Sequence, residues 1–244
     1  MSDIMAIVNQ AMNADAERLR SIGQNLANVN TESYKREVVT QQFDRMMVEK
    51  NESRVGLYST GSDSALHPKV MRDLSQGVLK QTNNLMDIAL NGQGFLQVEK
   101  SGDTYFTRKG HLAVDENGVL SLTTGEKILG IGGNIYLDGT NVEIDTEGSL
   151  IQSGVDIGQL AVVHFENADE LDYVGEGLFK QRDAQISVSG NTRVKQGFIE
   201  VSNVDSLTEM TALIEATRHF EASSQVLKGY DSMLDSAINT LADF

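Results

Sequence analysis

Leu213, Phe220, Leu227, Leu234 and Leu241 recur every seven residues near the C-terminal end of this chain. At the other end Met1, Met5, Val8, Met12, Asp15, Leu19, Ile22, Leu26 and Val29 advance by alternating steps of four and three, and all but Asp15 are apolar. A hydrophobic period of 3.5 is a coiled-coil seam, narrower than the stripe that a helix lays on a globular core. Both ends are therefore expected as helices, the second opening at the capping box "SLTE", Ser206 to Glu209. The alternate positions of the second seam are Met210, Thr217, Ser224, Asp231 and Ile238, three of them polar, so this seam holds register but is too wet for a strong isolated dimer. Asp15 is the matching polar break in the first. The plainer reading is two amphipathic helices packed on one domain, and the strict repeats favour the seam.

Glycine separates these ends from the middle. One glycine, Gly23, lies in residues 1–55 and one, Gly229, in residues 200–244, whereas eighteen of the 22 fall between Gly77 and Gly197. Short runs with strand composition fill that middle: Phe95–Lys100, Thr104–Arg108, His111–Val114, Val119–Leu122, Asn134–Leu137, Val142–Ile144, Ser149–Gln152 and Gln159–Phe165. The turn signals "SGD", "KG", "DENG", "DG" and "TEG" punctuate them. Strands without long helical patterns between them predict an antiparallel β domain of barrel or sandwich type, so the fold class is α+β. The expected organisation is an axial helical domain from residues 1–35 with 200–244, an extended bridge over 36–84, and a central β domain over 85–199. Within the bridge, Val39, Phe43, Met46 and Met47 stand at helical spacing.

The chemistry that the chain can support is narrow. With 35 acidic residues against 20 basic ones, a formal charge of −15, it lacks the basic face of a nucleic-acid binder and is unsuited to an anionic membrane surface. No apolar run is long enough to span a bilayer. Without cysteine, disulfides, thiolate metal sites and cysteine nucleophiles are excluded. His67, His111, His164 and His219 fall in separate segments with no metal-ligand spacing. "NGQGF" and "LGIGGN" give neither G-x-G-x-x-G opening a helix nor a phosphate-binding loop, and read as tight turns. "DTEGS" lacks calcium-loop spacing. No catalytic residue, cofactor site or metal site is expected, and the chain is read as a non-enzyme. The opening "MSDIMAIVNQ" has an early Asp3 and no basic stretch, so any route out of the cytoplasm is expected to cleave no signal.

Asn25, Asn28 and Asn30 crowd the end of the first helix in "NLANVNTESYK". This stretch resembles the N-x-A-N-x-x-T-x-G-[YF]-K signature of the bacterial flagellar axial proteins, the rod and hook subunits. Asn25, Ala27, Asn28, Thr31, Tyr34 and Lys35 match, and Ser33 stands where the family has glycine. "DLSQGVLKQTNNLMDIALNGQGFLQV" (Asp73 to Val98), "YFTRKGHLAVDENGVL" (Tyr105 to Leu120) and "VKQGFIEVSNVDSLTEMTALIEATRHFEAS" (Val194 to Ser223) are similar to further signatures of the same family. The length, "ILGIGGNI" and "RHFE" look most like its proximal-rod members. Distal-rod members, typically longer, come next, and hook proteins fit poorly.

The resemblance implies a structural subunit of the rod, the drive shaft through the periplasm, exported unfolded through the flagellar type III channel. It implies paired terminal helices forming an inner tube with the β domain outside. The implied partners are other rod subunits, the surrounding rings and, in transit, the export apparatus. The terminal segments are expected to order on assembly. The assembly interface is then expected to use the seam residues Met5, Val8, Met12, Leu19, Ile22, Leu26, Leu213, Phe220, Leu227, Leu234 and Leu241. Asn25, Ala27, Asn28, Asn30, Thr31, Tyr34 and Lys35 are expected to join them: the asparagines pair helix-end carbonyls and a neighbour's amides, Thr31 opens the chain reversal, and Lys35 meets an acidic residue of the next subunit. A secreted β-domain binding module on a coiled-coil stalk is the alternative from another class.

Overall fold

A computed structural model of the chain describes residues 2–42, 67–182, 184–187 and 191–242. They belong to two compact units. The helical unit takes its residues from Met1–Gln24, Glu37–Met71 and Leu207–Phe244, and the β unit from Asn25–Arg36 and Arg72–Ser206. Residues 25–36 and 72–84 thus group with the β strands, where the sequence suggested an axial end and a bridge. The reason is backbone pairing: the Asp73 amide bonds the Arg36 carbonyl, and strand Leu79–Gln81 pairs with strand Phe198–Glu200.

Two helices flank the strands in sequence, α1 (Ser2–Ala27) and α2 (Ser206–Ala242). α2 starts at the capping-box serine, with Glu209 in its first turn, where an acidic side chain suits the helix dipole. The helical unit also holds most of a two-stranded pairing of Glu37–Gln42 with His67–Arg72. Val39 is therefore in a strand rather than a helix: neighbours four apart fit either pattern, and the β-branched pair Val38–Val39 fits the strand better. Phe43, Met46 and Met47 lie outside the described residues.

The β unit is antiparallel in its described pairings and built around strand Gly94–Lys100, which bonds to Asp103–Thr107, Lys127–Gly130 and Val162–Phe165. Alternation along this strand sends Leu96 and Val98 into one core, with Ile88, Leu90, Leu120, Leu122, Ile128 and Leu150. Phe95 goes the other way, into a cluster with Phe106, Phe165 and Phe179 packed edge to face. Both faces are covered at this point, so the run "GFLQV" is apolar almost throughout.

The turns follow their sequence signals. Ser101 and Gly102, at φ 56° and 88°, make the two-residue reversal between Lys100 and Asp103, with the left-handed pair that such hairpins need. "DENG" and "DTEG" close with one left-handed residue each, Gly118 at φ 77° and Gly148 at φ 87°. The carboxylates of Asp115 and Asp145 each accept two backbone amides, from Asn117 and Val119 and from Glu147 and Ser149. Gly110 is required by space: a Cβ there would stand 1.7 Å from the Ile88 carbonyl oxygen.

Candidate assembly site

The chain leaves α1 by a stepped unwinding. The amides of Asn28, Thr31 and Tyr34 bond the carbonyls of Asn25, Asn28 and Thr31 in succession, every third residue. Side chains repeat the step: the Thr31 hydroxyl donates to Asn28 Oδ1 at 3.1 Å, and the Tyr34 hydroxyl to Asn25 Oδ1 at 3.2 Å. Asn25 and Tyr34 are buried. Ser33 adopts φ 54°, so the left-handed turn survives without glycine. Its amide reaches the Glu200 carbonyl and its hydroxyl the Arg108 carbonyl, bonds that offset the strain of the Cβ.

This segment ends on a buried cluster of charge. Lys35 Nζ lies 2.5 Å from Glu200 Oε1 and 2.6 Å from the Ser75 carbonyl. Arg108 approaches Glu200 Oε2 at 3.2 Å and donates to the Gly92 carbonyl at 2.7 Å. The Gly77 amide supplies a further donor to Glu200 Oε1 at 2.9 Å. The side chains of Lys35, Glu200 and Arg108 are at most 1% exposed. Burial pushes the Lys35 ammonium below its ordinary value; the Glu200 charge and hydrogen bond oppose this, and Arg108 adds to the lowering. Gly77 is close because it is bare: a Cβ would sit 2.1 Å from the Val201 carbonyl oxygen.

Asn203 completes the junction. Its side-chain oxygen accepts from the Arg36 amide at 2.7 Å, and its nitrogen donates to the Asp73 carbonyl at 2.9 Å and to Ser75. An amide places an acceptor oxygen and a two-hydrogen donor nitrogen side by side at the end of a short side chain. Arg72 stacks over the Tyr173 ring at 3.6 Å and donates to the Lys35 carbonyl. A second ionic group lies on the same segment: His111 holds Glu32 and Asp87, each at 2.6 Å, one on either ring nitrogen.

The residues expected at an interface divide between these roles. Lys35 finds its acidic partner in its own chain, at Glu200, and not on a neighbour, because the C-terminal signature folds back beside the N-terminal one. Asn25 and Tyr34 also serve this internal junction, Asn28 is half-buried, and Ala27, Asn30 and Thr31 are exposed. In α1, Met5, Val8, Met12, Leu19 and Leu26 are half-buried and Ile22 is buried. In α2, Leu213, Phe220 and Leu227 are half-buried and Leu234 is 37% exposed. The side chain of Leu241 is outside the described residues. The polar seam residue Asp15 meets His219 of α2 at 2.5 Å. Sequence reasoning assigned no role to Glu200, Arg108, Asn203 or His219, although all four stand inside the quoted signatures.

Known proteins agree with the signatures. The family described as flagellar basal body rod FlgEFG protein C-terminal matches residues 195–240, and the flagellar hook protein FlgE/F/G D1 domain matches residues 89–160. The flagellar basal-body rod protein FlgG of Agrobacterium fabrum is 31% identical, with 94% of this chain and 95% of that protein aligned. FlgF of Mesorhizobium japonicum is 29% identical over 99% of this chain and 98% of its own length. FlgG of Bacillus subtilis is 29% identical over 91% and 92%.

This chain belongs to the flagellar basal-body rod protein family. It is a structural subunit of the rod rather than an enzyme, and it assembles with other axial proteins of the basal body. In a rod subunit the buried junction has a clear task. It joins segments 165 residues apart in the chain, Lys35 and Glu200.

Two outcomes follow. Glu200→Leu is expected to cost on the order of 3–5 kcal/mol in urea unfolding, because it leaves Lys35 and Arg108 buried without their anion; Lys35→Met, which leaves Glu200 paired with Arg108, should cost less, and Lys35→Met/Arg108→Met/Glu200→Leu together should cost well under the sum of the single changes. His111 responds to pH. Burial works to lower its pKa, but the hydrogen bonds and charges of Glu32 and Asp87 prevail and raise it above 6.5. Stability from this group is therefore full below about pH 6.5 and is lost as pH rises through the raised value. His164, lowered by burial and then by Arg108, works in the opposite sense. The difference between wild type and His111→Gln isolates the His111 contribution, and it should shrink as pH rises.

Proposed function

We propose that this chain is a proximal-rod subunit, in which α1 and α2 pair along their seams as an axial coiled-coil-like domain and the β unit, of barrel or sandwich type, lies outside. One observation carries this reading: apolar side chains of α2 remain uncovered, Met210 on its seam and others beside it. Leu207, Met210 and Ile214, at spacings of three and four, are 74%, 53% and 55% exposed, and Val226 and Met233 are 58% and 65% exposed. A row of that kind on one helix calls for further helices against it, and a heterologous contact that does not close repeats into a helical shaft. Neighbouring subunits would cover it, and the ordering of both terminal helices would be completed on assembly.

Alignment with FlgF over nearly the whole of both chains supports the proximal place. Distal rod is the second reading, favoured by the equal or higher identity to FlgG. The reading places the subunit in the periplasmic part of the rod, exported through the flagellar channel without a cleaved signal and surrounded by the ring proteins. The seam residues and the exposed Ala27, Asn30 and Thr31 would face other subunits. Asn25, Tyr34 and Lys35 would act indirectly, by shaping the loop that presents them.

Exchanging Met210 and Ile214 for serine tests the covering of α2. These side chains are exposed, so the purified protein should keep its stability within about 0.5 kcal/mol. A strain whose only copy carries both changes should fail to swim in soft agar. Normal swimming would overturn the proposal.

A further inference from the structure

The β unit contains a cavity of about 570 Å³ that assembly through the helices does not use. Its apolar part is Leu74, Phe95 and Phe165, the two rings meeting edge to face at 5.8 Å. Its lining also carries the carboxylates of Glu166, Asp169 and Glu170, all exposed, the last two on the 3-10 turn Ala168–Glu170. Among the described residues, no ion pair neutralises these three. Arg108 lines the same cavity and is 2% exposed. Two of its nitrogens are satisfied by Glu200 and by the Gly92 carbonyl, but its buried Nε–H has no acceptor among the described residues.

These features select one kind of occupant. A free anion would satisfy Arg108 but meet the acidic lining. An apolar group would fill the space but leave both the carboxylates and the Nε–H as they are. A basic residue of a polypeptide answers all three demands. We propose that the cavity is a socket for an arginine or lysine of a partner chain. Its aliphatic stem lies along Leu74 and the phenylalanine rings, and its cationic head meets Glu166, Asp169 and Glu170. A peptide carbonyl accepts the Arg108 Nε–H, a donor otherwise unmet. Lys35 and Arg108 share the one negative charge of Glu200, so the cluster keeps a single positive charge, which the three carboxylates of the lining outweigh. The formal charge of −15 draws basic partners toward the chain.

The test uses the full chain in solution and two small probes, arginine acetylated at Nα and amidated at its carboxyl, and the equally blocked citrulline, its neutral isostere. The arginine probe is expected to give saturable NMR shifts of the Arg108 Nε–H and of the Phe95 and Phe165 ring protons. Citrulline should bind at least tenfold more weakly. So should arginine to the variant Glu166→Gln/Asp169→Gln/Glu170→Gln, whose exposed positions leave folding intact. Absence of saturable shifts, or equal binding of the two probes, would overturn the proposal. Neither result bears on the rod reading, since no assembly is involved.

Discussion

Glu200 is a full negative charge with no access to water, and the β unit is arranged to satisfy it. Two cations and a backbone amide converge on its two oxygens, from Lys35, Arg108 and Gly77. An isolated carboxylate at such a depth would cost several kcal/mol, so these segments are bound to one another: removal of Glu200 leaves two buried cations without their anion, and release of Lys35, Arg108 or Gly77 takes a partner from its oxygens. The family signatures are four quoted stretches in the sequence and one place in space. "YK" brings Lys35, "SQG" brings Ser75 and Gly77, "TRKG" brings Arg108, and "IEVSN" brings Glu200 and Asn203.

This convergence changes what the signature residues do. A polar run after a helix invites the thought of an intermolecular contact, and Lys35 was a natural candidate for one. Its place at 1% side-chain exposure beside Glu200 makes it a structural ion instead. What stays exposed is the outer surface of the loop, at Ala27, Asn30 and Thr31, and Leu207, Met210 and Ile214 on α2. The interior fixes the loop, and the exterior is free to be shaped for a partner. His111, with Glu32 on one nitrogen and Asp87 on the other, adds a second tie on the same segment whose strength depends on protonation.

The features legible in the sequence are those decided locally. Both helices could be read from their seams, because period 3.5 is a property of neighbours in the chain. The reversal at Ser101–Gly102 and the paired Asp115 and Asp145 loops could be read because a turn is determined by three or four residues. Val39 was misleading: apolar spacing in a short segment does not distinguish helix from strand, and pairing with a distant strand decided it. The Lys35–Glu200 contact was hidden by its separation of 165 residues, and no local pattern announces a partner so far away. Asp15 announced itself as a break in the seam, but His219 stands off the apolar positions of α2, so their meeting could not be inferred from periodicity.

Native-state hydrogen exchange on the monomer tests the central claim, that the charge cluster binds the ends of the β unit into its core. The amides of Ser33, bonded to the Glu200 carbonyl, and of Gly77, bonded to the Glu200 carboxylate, report directly on it. They should open with the same free energy as core amides such as Gln97 and Leu120, that is, only by unfolding of the whole unit. Exchange of Ser33 and Gly77 at a free energy well below that of the core strands would contradict the account.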